Sequence, residues 1–473
     1  MLKNIRLSNY KCFNDSRDIE IKPLTVLCGV NSSGKSTIMK SLLTLKQTYE
    51  NAGDKKSLIL NSSYVKNGTC NDILYKRIEN NFCISSNFII TKASKNDYRS
   101  RSEITAFKNI AKMYSNHQKI QELDLCCKSV FRKNTNEAIL IEQNYEIEVR
   151  YSTGSTIKTV VSYKKDRTKW DISISNFPNN NGEIIPTMEL YDVVCYFENF
   201  RFVNLYVNLT TPQTDEVVYI VNNLCTISRY AGNLFNTFKY LTPLRVYPQR
   251  TYLGEDDTIG VGIGGENTAQ FLNDNGEKTF KGLPFGVLSK ETSSKTLNEY
   301  VNLWMNYFGI GSYNIQSNND IIRLNIESDN IINVGFGVSQ ALPIIVSGLT
   351  MNIADTLFLE QPEIHLHPKA QMAMGDFLVS MAKAGKGVLV ETHSDHIINR
   401  IVKRVMDGTI GCDEVAIYFV NNNQDGSTIT KVEIDMIKGI VNAPQEFFTQ
   451  FASELSEIFN IGLKNLKRQR ENI

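Results

Sequence analysis

The sequence predicts an α/β fold in which a glycine-rich loop joins a buried strand to a helix and an antiparallel β lobe is added to that core. Three observations predict it. Gly29-Val30-Asn31-Ser32-Ser33-Gly34-Lys35-Ser36 completes a GxxxxGK[ST] loop between an apolar run and a helical pattern. TLFLE (356–360) and GVLVETHS (387–394) are short apolar runs of the kind buried in parallel sheets. Residues 144–175 alternate apolar and polar side chains, with turn residues at 152–155 and 165–167, the pattern of an antiparallel meander.

The elements follow in order. Ile5 and Leu7, Ile19 and Ile21, and Leu24 to Leu27 read as short strands, and Ile38, Leu42, Leu45 and Tyr49 have helical spacing. From 51 to 235 the composition shifts to Asn, Ser, Lys and Tyr, which marks an inserted α+β lobe; within it, 103–132 reads as helical. A helix around 290–308 and a strand at 321–328 fill a segment, 276–329, that leads to a glycine turn opening an apolar helix (333–349). A helix near 368–384 separates the two apolar strands. VAIYFV (415–420), a hairpin at NNNQDGS and a C-terminal helix close the chain. Residues 1–50, 236–275 and 330–473 together then form one composite head. Neither sustained heptads nor internal repeats occur, so a long coiled coil and a solenoid are not expected.

Bulk properties narrow the class. With 51 Lys and Arg against 50 Asp and Glu, the net charge is +1, and no global field draws the chain to nucleic acid. The basic run Lys464, Lys467, Arg468 and Arg470 reads as a solvated helix end. Nine scattered cysteines, with Cys126-Cys127 the one close pair and no zinc spacing, fit reduced thiols. No basic-then-apolar leader opens the sequence and no apolar run is long enough to span a bilayer, so a cytoplasmic protein without membrane contact is expected.

The chemistry is that of a nucleoside triphosphate. Loop N–H groups and the helix N-terminus surround phosphates, Lys35 neutralises the β and γ oxygens, and Ser36 ligates Mg²⁺. Glu360, ending an apolar strand, is placed to reach the same metal. His393, after the next strand, is placed to hydrogen-bond the γ-phosphate and hold the attacking water. His365 and His367 alternate on a short segment with Glu363 as the only near ligand, so a contact between subunits is expected there rather than a metal.

Taken together, NYKCF, GVNSSGKST, YLTPLRVYP, VGFGVSQ, LFLEQPEIHLHP and ETHS resemble the ABC-type ATPases of the SMC/RecF/OLD group, over about residues 1–50, 238–275 and 330–451. EIDMIKGIVNAPQEFFTQF (433–451) is similar to the DUF3696-type C-terminus of bacterial "AAA family" ATPases, a group that includes the PtuA-like ATPases of antiphage defence. The resemblance implies a P-loop NTPase with an ABC-type head: a mixed-sheet core plus an antiparallel β lobe. It implies ATP and Mg²⁺, and a homodimer or higher homo-oligomer formed through the heads. Gly29, Asn31, Ser32, Ser33, Gly34, Lys35, Ser36 and Thr37 would cradle ATP, and a signature turn carrying Gly335, Gly337, Ser339 and Gln340 would meet the γ-phosphate across the dimer. Lys11 matches a basic position near the nucleotide. Gln249 is the candidate Mg²⁺-sensing glutamine, with Arg245 and Arg250 as alternative phosphate or dimer contacts.

Where the family keeps a water-activating glutamate, this chain has Gln361; an amide orients water but does not take a proton, and Glu363 is a substitute base. The resemblance therefore points to slow ATP hydrolysis in a switch that controls a separate effector. OLD-type nucleases carry an acidic metal-binding domain after the ATPase, and the residues after His393 have no DxD constellation, so cleavage would come from a partner such as an HNH nuclease. A RecF-like DNA-repair ATPase, a scaffold with negligible turnover, and a DNA or phage trigger stay open.

Overall fold

The computed structural model describes residues 1–51, 56–91, 101–114, 119–206, 215–254, 260–281, 294–318, 320–442 and 444. Among them, one six-stranded sheet runs in the order Phe238–Leu241, Thr356–Glu360, Gly387–Glu391, Leu24–Gly29, Val415–Asn423 and Gly426–Val432, parallel except for the last strand. The pleat divides its side chains between two cores. Leu24, Val26, Leu357, Leu359, Val388 and Val390 enter one, whereas Leu27, Phe358 and Leu389 enter the other. Burial on both faces is why these strands read as unbroken apolar runs. Glu360, Glu391 and Gly29 all lie at the C-terminal ends of adjacent strands, the edge where open α/β sheets bind ligands.

The second large sheet has ten strands and is antiparallel. Leu2–Tyr10 pairs with Phe13–Asp15, Ile19–Glu20 and Asn81–Thr91, and the strands from Ile120–Asn134 to Arg201–Tyr206 then add one after another. Residues 81–206 thus extend a sheet that the first ten residues begin. Helix Lys35–Glu50 lies between the two sheets, with Ile38, Leu42 and Leu45 fully buried as their spacing predicts. Helix Asp215–Leu234 packs against the edge strand Arg201–Tyr206 and reaches across to the interior strand Glu137–Tyr151, where Tyr145 and Ser228 hydrogen-bond at 2.9 Å.

The predicted helix over 103–132 is corrected in its second half. A helix covers Arg101–Tyr114, but Ile120–Asn134 is a strand. Leu123, Leu125, Cys127, Ser129 and Phe131 are buried while Asp124, Cys126 and Lys128 are half-exposed, a period of two that Cys126-Cys127 straddles. The helix expected at 290–308 begins at Leu297, where Thr296 and Glu299 form a reciprocal capping box. The hairpin at NNNQDGS is present between Val415–Asn423 and Gly426–Val432. The C-terminal helix, the basic run at 464–470 and most of 443–451 lie outside the described residues.

Candidate functional site

Gly29 ends its strand at φ 129°, and a β-carbon there would lie 2.1 Å from the carbonyl oxygen of Val420 on the neighbouring strand. Only glycine lets the chain cross at this point. Gly34, at φ 98°, precedes the first turn of helix Lys35–Glu50, whose free N–H groups face the loop. A β-carbon on Gly34 would meet the sulfur of Cys12 at 2.3 Å, so the NYKCF turn is packed directly on the phosphate loop. That places Lys11 beside Lys40, and burial, with Lys40 as a like charge, lowers the Lys11 pKa. Asn31 and Ser32 are exposed on the loop rim, and Ser33 is buried with its hydroxyl unpartnered. Thr37 turns its hydroxyl toward Cys12.

Lys35 donates its ammonium to the carbonyls of Gly29 (3.1 Å) and Val30 (2.6 Å). Burial lowers its pKa, and the carboxylates of Glu391 and Glu363 oppose that shift. Glu360 and Glu391 are directly opposite each other in the parallel register, so two strand-end carboxylates emerge side by side. Glu360 is 3% exposed; the Tyr240 hydroxyl donates to it at 2.7 Å and the Lys40 ammonium lies at 3.2 Å. Glu391 is 5% exposed, and its Oε2 has no hydrogen-bond partner among the described residues. Burial raises the Glu391 pKa, Ser36 opposes this, and the negative charge of Glu360 adds to it.

These groups fit a divalent cation shared with a polyphosphate. Among the described residues no three His, Cys, Asp or Glu side chains form a cage. Magnesium does not need one, because it takes one or two carboxylates and completes its octahedron with phosphate oxygens and water.

Three further residues converge on this corner. The Gln361 N–H donates to the Glu391 carbonyl (2.8 Å) and its φ is 46°, so the strand ends in a sharp left-handed turn. The Glu363 carboxylate accepts from the His393 N–H (2.7 Å) and the Thr392 hydroxyl (2.8 Å). Burial raises its pKa above the usual range, and those two donors pull against the shift. The pKa of His393 is lowered by burial and then by Lys35. His367 instead caps helix Pro368–Lys383, and His365 packs its ring edge-on against Phe336 at 4.7 Å.

The glycine turn opens helix Gly337–Thr350. Gly335 is exposed, and Gly337 backs onto the carbonyl of His365. The Ser339 hydroxyl donates to Phe336 O at 2.8 Å within its own turn. Gln340 is fully buried and brackets Arg245, accepting its N–H (3.3 Å) and donating to its carbonyl (3.5 Å). Arg245, 2% exposed, sends its guanidinium to the carbonyls of Glu360 (3.0 Å) and Gln361 (3.5 Å). Gln249 is exposed, and its backbone N–H donates to the Tyr252 hydroxyl. The structure therefore brings Arg245 to the acidic strand end and leaves Gln249 and the Gln340 side chain away from it.

Tyr240, Lys40 and Glu391 were not singled out from the sequence. Glu391 alone carried a readable signal, since VLVE ends as LFLE does.

The AAA ATPase domain model matches residues 1–207 and 278–398, and the chain belongs to that family. No curated protein matches. The chain is similar to a solved SMC head bound to the C-winged helix domain of ScpA, at 10% identity and a TM-score of 0.39, over 92% of this chain and 98% of that one. It is also similar to the SMC head domain from Thermotoga maritima, at 10% identity and a TM-score of 0.34, over 92% and 99%.

Proposed function

We propose that this AAA ATPase-domain chain binds ATP with magnesium, hydrolyses it slowly, and acts as a nucleotide-gated dimeric switch on a separate effector. The observation that supports it best is the clustering of Lys35, Ser36, Glu360, Gln361 and His393 at one sheet edge, with glutamine where a glutamate base is expected.

Lys35 leaves its two loop carbonyls for the β and γ oxygens, and the helix N-terminus adds its N–H groups. Ser36 and Glu360 would hold the magnesium, which when bound neutralises the charge that builds up on the phosphates. The Gln361 amide orients the attacking water. Glu363, whose burial favours its protonated form more than in an ordinary carboxylate, is the substitute proton acceptor behind it. The exposed Gly335 offers an N–H to a second subunit, so a dimer closed on ATP would join both heads. Gly337 and the Ser339 hydroxyl, each engaged within the chain, need a local rearrangement to join it.

The DUF3696-type C-terminus, the antiphage role and an HNH-type effector belong to this reading through the motif resemblance alone. A scaffold with negligible turnover is the second reading, and Gln361 favours it. Steady-state phosphate release by purified protein, alone and with partner and DNA, separates the two. Lys35→Ala should abolish nucleotide binding and cellular activity; full function in that variant overturns the proposal.

A further inference from the structure

We propose that Glu391 is the second protein carboxylate of the magnesium site, a role that rests on the nucleotide-binding reading above. Four observations lead there. Glu391 sits at the end of the strand directly beside the phosphate-loop strand, one strand nearer to it than Glu360. Ser36, the loop hydroxyl that ligates magnesium in such sites, is near enough to its carboxylate to oppose the rise of its pKa. Its Oε2 is buried without a partner among the described residues, an uncommon condition for a carboxylate oxygen. Glu360, by contrast, already has both oxygens engaged, by Tyr240 and Lys40.

Two neighbouring carboxylates repel each other and repel a triphosphate, so they stay together at a phosphate site only if a cation joins them. Lys35 and Lys40 supply part of that compensation, but Lys35 is committed to the loop carbonyls and then to phosphate. A divalent ion between Ser36, Glu391 and the phosphates satisfies the open oxygen and removes the repulsion. The lone-strand reading of LFLE as the acidic element is then incomplete: the metal is held from two adjacent strands in register. Nucleotide affinity should consequently depend on the divalent ion more steeply than one carboxylate would make it.

The test is Mn²⁺ binding followed by electron paramagnetic resonance, with the non-hydrolysable analogue adenylyl imidodiphosphate, on wild-type protein and on Glu391→Gln and Glu391→Asp. Nucleotide binding in EDTA and the thermal melt report the folded state. Glu391→Gln should weaken Mn²⁺ about 10–100-fold while analogue binding in EDTA is kept or strengthened, because a negative charge has gone. Glu391→Asp should fall between. Wild-type Mn²⁺ affinity in a folded Glu391→Gln protein overturns the assignment and leaves the nucleotide site standing. If Glu391→Gln does not fold, wild-type Mn²⁺ affinity in Glu391→Asp overturns it equally. Absence of any analogue binding by the wild type overturns both.

Discussion

Arg245→Met separates a structural cation from a functional one, and the structure sets the size of the effect. The guanidinium makes one good hydrogen bond, to the Glu360 carbonyl at 3.0 Å, and one at the outer limit, to Gln361 at 3.5 Å. Its Nε is buried without a partner among the described residues. Loss of the good bond, leaving a buried carbonyl open, costs about 1–3 kcal/mol. Against this, burial pushes the Arg245 pKa down to about 10, with Glu363, Tyr240 and Glu360 opposing the shift. A fall from 12.5 to about 10 corresponds to roughly 3 kcal/mol by which the folded protein disfavours the charge. The two effects nearly cancel. Methionine, of similar length and without charge, should therefore leave urea stability within about 1 kcal/mol of wild type. Turnover should behave differently. Arg245 is the link between Gln340 on helix Gly337–Thr350 and the peptide that carries Gln361, so its loss should lower kcat for phosphate release about tenfold or more, with little change in ATP affinity. A variant that loses more than about 3 kcal/mol of stability yet keeps full turnover per folded molecule refutes this reasoning.

Gln361→Glu should raise phosphate release by less than about tenfold, measured at saturating ATP, because Glu363 already supplies a carboxylate; a gain in the 10²–10⁴ range of a newly installed base would show that nothing else serves. Lys386, buried and donating to Gly348 O (2.8 Å) and Leu349 O (2.7 Å), has its pKa pushed down to about 7 by burial. Unfolded, it returns to 10.5, so between about pH 7 and 10.5 the unfolded chain holds the extra proton and stability rises with pH. The stability of wild type relative to Lys386→Gln should climb from pH 7 to 9 by up to about 1.4 kcal/mol per pH unit in urea denaturation; a flat difference would show that Lys386 keeps its proton in the folded protein and counts against the lowered pKa.

The legible parts of this protein were the local ones. A P-loop is a contiguous string whose backbone does the chemistry, so residues 29–36 could be read without knowing what lies beside them. The same holds for strand ends, where Glu360 and His393 were visible. What escaped were side chains whose meaning depends on strand order. Tyr240 meets Glu360 across 120 residues and Arg245 meets it across 115, and only the pairing of Phe238–Leu241 with Thr356–Glu360 brings them together. Gln249, the candidate Mg²⁺-sensing glutamine, is exposed on its loop, whereas Arg245, the alternative contact, reaches the acidic strand end. The strand at Ile120–Asn134 was lost because polar side chains occupy its half-exposed face while its buried face includes Cys127 and Ser129, which weakens the period-two signal.

Gln361 acquires a physical reason from its neighbours. Glu360, Glu391 and Glu363 already crowd the edge of the phosphate loop, and burial holds the last two above the ordinary carboxylate range. A glutamate at 361 would add a fourth negative charge to a corner whose cations, Lys35, Lys40 and Arg245, are each already engaged. Each carboxylate there would then be driven further toward its neutral form, so the added group would be ionised less of the time while its charge, when present, repels the triphosphate. The amide keeps a water-orienting group at the strand end without that repulsion. On the proposed function, slow turnover would follow from the electrostatics of the corner as a whole, and a switch that must hold ATP for longer than it takes to find its partner would gain from it.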